Sequence, residues 1–151
     1  MAEQIRWTPR VTVASVIERD HEFLMVEEQI KGTVQINQPA GHWEPNETLL
    51  QAASRETLEE TGWSFEPREL VGIYHWVVPK EKTTFLRFTF CGELGEFNQN
   101  QNLDEGILGS RWMNLSTLEK QSAQHRSPLV LLSVKDYLAG KRLPLDCIQS
   151  I

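Results

Sequence analysis

Cysteine is scarce in this chain of 151 residues: Cys91 and Cys147 are the only two, and they lack CxxC spacing. Neither a disulfide framework nor a thiolate metal site is therefore encoded, and Cys91, inside FTFCGEL, reads as a small core or sheet residue. The four histidines, His21, His42, His75 and His125, show no zinc-site spacing either. Long apolar runs are also missing. No stretch reaches the roughly 18 apolar residues of a membrane span, and the start, MAEQIRWTPR, has no signal-peptide core. The expectation is a cytoplasmic protein without a membrane partner. Positive charge is short as well, with 15 Lys and Arg against 21 Asp and Glu and a net charge of -6, which argues against a nucleic-acid partner. Hydrophobic residues at 40% suffice for one core, and with no repeat or linker the chain reads as a single domain over 1–151, monomer favoured.

What is present is punctuated apolar patterning. Residues 10–18, RVTVASVIE, and 22–28, EFLMVEE, read as strands joined by a hairpin at Arg19-Asp20-His21. Gln35 to Asn37 is a further short extended piece before the Pro39-Ala40-Gly41 turn. A helix is predicted over 47–61, capped by Asn46, with Glu47 at its positive end and Gly62 as its stop. Leu50, Ala53 and Thr57 give it a packing stripe. Residues 70–78 and 83–94 read as strands around a turn at 79–82, and 111–113 as a short last strand. The intervening GEFNQNQNLDEGILGS reads as a mobile surface loop. A terminal helix is predicted over 127–138 with Leu131, Val134 and Leu138 as its apolar face. This order implies an α/β fold, a mixed β-sheet sandwiched between α-helices.

Charge is concentrated in one place. Between Glu44 and Glu60 stand five Glu and a single basic residue, Arg55. Helical residues turn by about 100° each, so Glu56, Glu59 and Glu60 share one arc of roughly 100°. Carboxylates so placed repel one another, and a divalent cation with oxygen ligands relieves that repulsion. Mg²⁺, or Mn²⁺, bound to a phosphate chain is the natural counterpart. Arg55 is suited to orient a carboxylate or the glycine loop, Glu47 to cap or brace that loop, and a further ligand is expected from outside the helix.

The run GHWEPNETLLQAASRETLEETGW, residues 41–63, resembles the signature of Nudix hydrolases. Its glycine, glutamate, Arg-Glu, Glu-Glu and Gly positions fall on Gly41, Glu47, Arg55-Glu56, Glu59-Glu60 and Gly62, with Trp63 in the closing apolar place. Thr57 stands where an apolar residue is usual. The resemblance implies the Nudix fold, Mg²⁺ or Mn²⁺ on Glu56, Glu59 and Glu60, and hydrolysis of a phosphoanhydride. NQPAGHWE at 37–44, HWVVP at 75–79, FLRF at 85–88, RW at 111–112, RSPLV at 126–130 and LPLD at 143–146 resemble a narrower branch. That branch comprises Nudix phosphatases acting on nucleoside tri- and diphosphates and hydroxymethylpyrimidine pyrophosphate. It implies release of inorganic phosphate; the alternatives are a pyrophosphate-releasing nucleotide hydrolase and an inactive nucleotide-binding regulator.

On the substrate side, Trp76 is suited to stack on a planar group and His75 to hydrogen-bond to it or to phosphate. Arg87 points opposite its apolar neighbours in FLRFTF, and the family resemblance implies a phosphate clamp there. Asn37, Gln38 and His42 flank the glycine loop as substrate contacts, and Arg126 and Ser127 precede a helix N-terminus that attracts anions. Trp112 reads as core or pocket wall. Relatives implied by the resemblance carry an extra carboxylate before the final Arg-Trp strand. Asp104 and Glu105 are the ones available, Gly106 stands at the nearer position, and Glu105 is the expected catalytic partner of Arg55, Glu56 and Glu59.

Overall fold

Strands whose successive side chains enter two different cores set the layers. The computed structural model describes residues 4–151. In β1 (Arg10–Val16) and the following Ile17, odd positions Val13 and Ile17 join one core cluster while Val16 joins another. β2 (Glu18–Arg19) turns back into β3 (Glu22–Ile30) through Asp20 and His21, both at positive φ, as a tight two-residue hairpin requires. β3 alternates in the same way, Leu24 toward the first cluster and Phe23 and Met25 toward the second. β4 (Thr33–Asn37) pairs with β3, and the chain then crosses at Gln38-Pro39 to form β5 (Ala40–His42) in the other sheet.

α1 (Leu49–Thr61) follows. Its cap is Thr48, whose hydroxyl accepts from the Gln51 N–H at 3.1 Å while the Gln51 side chain accepts from Thr48 N at 2.8 Å. The cap expected at Asn46 is thereby corrected: Asn46 is a turn residue at φ 67, and Glu47 precedes the helix instead of lying in its first turn. Gly62, at φ 78, ends α1 as expected, its N–H donating to Leu58 O. Thr57 is fully buried, and its hydroxyl bonds Ala53 O at 2.8 Å and Ser15 Oγ at 3.1 Å, which ties α1 to β1.

β6 (Trp63–Val77) and β7 (Thr84–Phe97) are longer than predicted, because β6 starts directly after Gly62 and absorbs Pro67 at one of its register shifts. β8 (Ile107–Asn114) likewise starts four residues early. The loop left between them is short and tethered: Asn98 N donates to Gly62 O at 2.8 Å and Asp104 N to Glu59 O at 3.0 Å. α2 (Leu115–Lys120), capped by Asn114, has no counterpart in the sequence reading, although Asn114 two residues before Ser116-Thr117 is a cap signal. α3 (Leu129–Leu138) starts two residues later than predicted, and its buried face is Leu129, Val130, Ser133 and Val134, with Leu138 48% exposed. β9 (Leu143–Pro144) pairs with β6.

One sheet runs β5-β1-β7-β6-β9, with β1 and β7 parallel; the other holds β2, β4 and β8 around β3. Ala52 and Ala53 of α1 pack on Val13, Leu24, Leu70 and Phe90, while Leu118, Val130 and Val134 of α2 and α3 pack on Val16, Phe23, Ile36 and Met113. The expected architecture of mixed strands between helices is what forms. Among the described residues no helix is long and apolar enough to cross a membrane.

Candidate active site

Arg55 organises the acidic side. Its Nε and Nη2 donate to both oxygens of Glu47 at 2.9 and 2.7 Å, Nη2 also reaches His42 O at 3.0 Å, and Nη1 bonds Glu56 at 2.8 Å and Glu59 at 3.2 Å. Glu47 also accepts from Glu44 N at 2.9 Å, so it braces the glycine loop, and its pKa is lowered chiefly by the Arg55 hydrogen bonds. Gly41 is required by space: a Cβ there would overlap the Glu56 carboxylate.

Glu56 is 8% exposed, and burial raises its pKa against the opposing pull of Arg55. Glu60 is as buried; it accepts from Ala40 N at 2.7 Å, and burial pushes it up to about 8, helped by the charges of Glu56, Glu28 and Asp104. In both, burial is the larger cause and the neighbouring carboxylates add to it. Oxygens of Glu56, Glu59 and Asp104 lie within 4.8 Å of one another, a donor set suited to a hard divalent cation. Asp104 is the carboxylate from outside the helix that joins this group. Glu105, its neighbour, is exposed and does not belong to that group. Glu60 also stands outside that trio, on the wall of the adjoining cavity.

That cavity, about 370 Å³, joins Glu56 and Glu60 to a basic and aromatic wall. Strand register explains the wall. Arg10, Phe85 and Trp76 pair across β1, β7 and β6 in one row, and Thr12, Arg87 and Tyr74 in the next. Arg87 is 5% exposed, its Nη2 donates to Asn37 Oδ1 at 3.0 Å, and burial pulls its pKa down to about 10. The Trp76 and Phe85 rings stack with centroids 5.9 Å apart. Asn37, His42, Trp76, Arg87, Arg126 and Ser127, named from the sequence, all line the cavity.

Two do not. His75 is exposed on the opposite side of β6 from Trp76. Gln38 is 1% exposed, and its Nε2 donates to Val130 O at 2.7 Å and Ser133 Oγ at 3.1 Å in α3. Arg10, Thr12, Glu28 and Phe85 line the cavity unannounced by the sequence reading. Alternation placed Phe85 beside Arg87, but only the parallel β1–β7 register brings Arg10 and Thr12 to it. Trp112 lies partly buried against the α1 cluster, with the Arg19 guanidinium 4.2 Å above its ring.

A carboxylate trio drawn from a capped helix and one loop, a glycine giving way to one of those carboxylates, and a buried guanidinium across the cavity are the parts of a metal-assisted phosphate site. The NUDIX domain family model matches residues 7–132. The chain belongs to the Nudix hydrolases and is a phosphohydrolase acting on phosphoanhydride bonds. It is 44% identical over 140 residues to phosphatase NudJ of Escherichia coli K12, covering 93% of this chain and 90% of that protein. A Nudix hydrolase structure from Nitrosomonas europaea is 50% identical, with a TM-score of 0.93 over 95% of this chain and 98% of that one. A second Nudix structure from that organism is 25% identical, with a TM-score of 0.69 over 93% and 76% of the respective chains.

Proposed function

We propose that this hydrolase removes terminal phosphate from nucleoside tri- and diphosphates, and from hydroxymethylpyrimidine pyrophosphate, releasing inorganic phosphate with Mg²⁺ as cofactor. The observation that carries the reading is a cavity in which the clustered helix carboxylates face a buried guanidinium and a stacked aromatic pair, together with similarity to a phosphatase over nearly the whole chain. Mn²⁺ fits the same oxygen donors.

Glu56, Glu59 and Asp104 would hold the cation, and Glu60 adds a carboxylate at the cavity wall. The chemistry a Mg²⁺ held there would supply is positive charge against the phosphoryl oxygens and a lowered pKa for the attacking water. Arg55 fixes the carboxylates, Glu56 among them, through donors engaged on four acceptor groups, and Glu56 and Asp104 would be the groups to accept the water's proton. Arg87, held by Asn37, clamps the phosphate chain, and Arg126 with Ser127 closes it from the α3 side. Trp76 and Phe85 offer a stacking surface to the planar end of the substrate.

A panel of nucleoside di- and triphosphates and hydroxymethylpyrimidine pyrophosphate, with phosphate and pyrophosphate quantified separately, tests the reading. Phosphate from both di- and triphosphates is expected; pyrophosphate from triphosphates alone would replace it with the more usual family reaction. In the same assay Glu59→Gln and Glu60→Gln at saturating Mg²⁺ should lose turnover on the order of 10³-fold and at least tenfold, respectively. Near-unchanged rates in both would remove the metal role.

A further inference from the structure

α3 roofs the cavity through Ser127 and Leu129 at its N-terminal approach, with Arg126 just before them. Its seat on the strands is polar as well as apolar. Arg126 N donates to Ile36 O at 2.8 Å, Gln38 Nε2 reaches Val130 O and Ser133 Oγ, and Tyr74 donates to Asp136 at 2.9 Å. The strand-side groups are neighbours of the phosphate clamp: Gln38 follows Asn37 in the chain, and Tyr74 is the cross-strand partner of Arg87.

Gln38 is the telling member. Its amide is buried between β4, β5 and α3, and its Oε1 has no hydrogen-bond partner among the described residues. A buried, half-satisfied amide is a poor choice for stability alone. Nor does α3 need it for satisfaction, because Ser133 Oγ also donates to Leu129 O at 2.6 Å and approaches Val130 O at 3.3 Å. What the amide does supply is directional register between two walls of one cavity. We propose, resting on the phosphatase reading above, that Gln38 is a positioning residue that locks the α3 N-terminus over the Asn37–Arg87 clamp and so sets substrate affinity without taking part in the chemistry.

The substitution Gln38→Met keeps the length and bulk of the side chain and removes the amide. The nucleoside triphosphate that the wild-type chain hydrolyses fastest is titrated against both proteins with Mg²⁺, and amide hydrogen exchange over residues 129–133 is followed in the ligand-free proteins. KM should rise about tenfold with kcat held within about twofold, the mark of lost binding in place of lost chemistry. Exchange at 129–133 should accelerate while the melting temperature stays near wild type. An unchanged KM in a folded Gln38→Met protein overturns the proposal, and so does a fall in kcat at constant KM. Should that variant fail to fold, Ser133→Ala, which removes one of the two acceptors, is expected to raise KM about threefold, and no change in it overturns the proposal equally. Absence of turnover in the wild type is a failure of the phosphatase reading and not of this one; exchange at 129–133 then decides alone, and equal protection in both proteins refutes the lock.

Discussion

The two walls of the cavity are built on opposite plans. The acidic wall comes mostly from residues 41–62, a glycine loop and one helix, with Glu28 and Asp104 added from elsewhere. The basic and aromatic wall is gathered from β1, β4, β6, β7 and the approach to α3, of which β6 and β7 alone are consecutive in the chain. A contiguous wall tolerates change in the remainder of the fold, because its spacing is helical and local. A gathered wall depends on strand register, and a slip of one residue in β6 would exchange Trp76 for His75.

That contrast is open to attack from either side, beginning with Asp104, which the acidic wall gains from outside the helix. Asp104→Asn is expected to lower kcat about a hundredfold and Glu105→Gln to leave it within about twofold, measured as phosphate release at saturating Mg²⁺. The reverse order would show that the tethered loop rearranges on binding. On the opposite wall, Arg87→Met should raise KM between about ten- and a hundredfold, the worth of charged hydrogen bonds to phosphate, with a smaller change in kcat. Trp76→Leu should raise KM for a nucleotide about tenfold, whereas His75→Ala should not move it, and a larger effect at His75 would refute the register.

The smallest effect concerns stability near α3. Burial holds the His125 pKa below its ordinary 6.5, so the unfolded chain takes up a proton first as pH falls through that value. The stability due to neutral His125 is whole above pH 6.5 and is lost progressively below it. His125→Gln should flatten the melting curve between pH 7 and 5 by about 1–2 °C relative to wild type. An identical pH profile in both proteins would remove His125 from the account.

The same contrast explains what was legible in the sequence. Glu56, Glu59, Arg55, Gly41 and Gly62 were readable because helical periodicity and a left-handed stop are local rules. Capping was less so, since Asn46 and Thr48 are both competent, and the choice fell to Gln51 completing the box with Thr48. His75 and Trp76 could not be sorted by counting alternation, because β6 shifts register at Pro67/Glu69 and again at Leu70/Gly72. Gln38 looked like one more polar loop residue; its burial follows from the sheet-to-sheet crossing at Gln38-Pro39, which composition does not announce. Asp104 and Glu105 are chemically alike and adjacent; Asp104, whose N–H bonds Glu59 O, is the one that stands beside the helix carboxylates.

That bond and its companion from Asn98 N to Gly62 O suspend the loop from the last turn of α1 by main chain alone. The gap between the helix carboxylates and Asp104 is consequently measured by peptide geometry, which side-chain substitution in residues 99–103 leaves untouched. The segment is free to vary in composition while its length is held. Deleting one residue there should disable the site more completely than replacing all five.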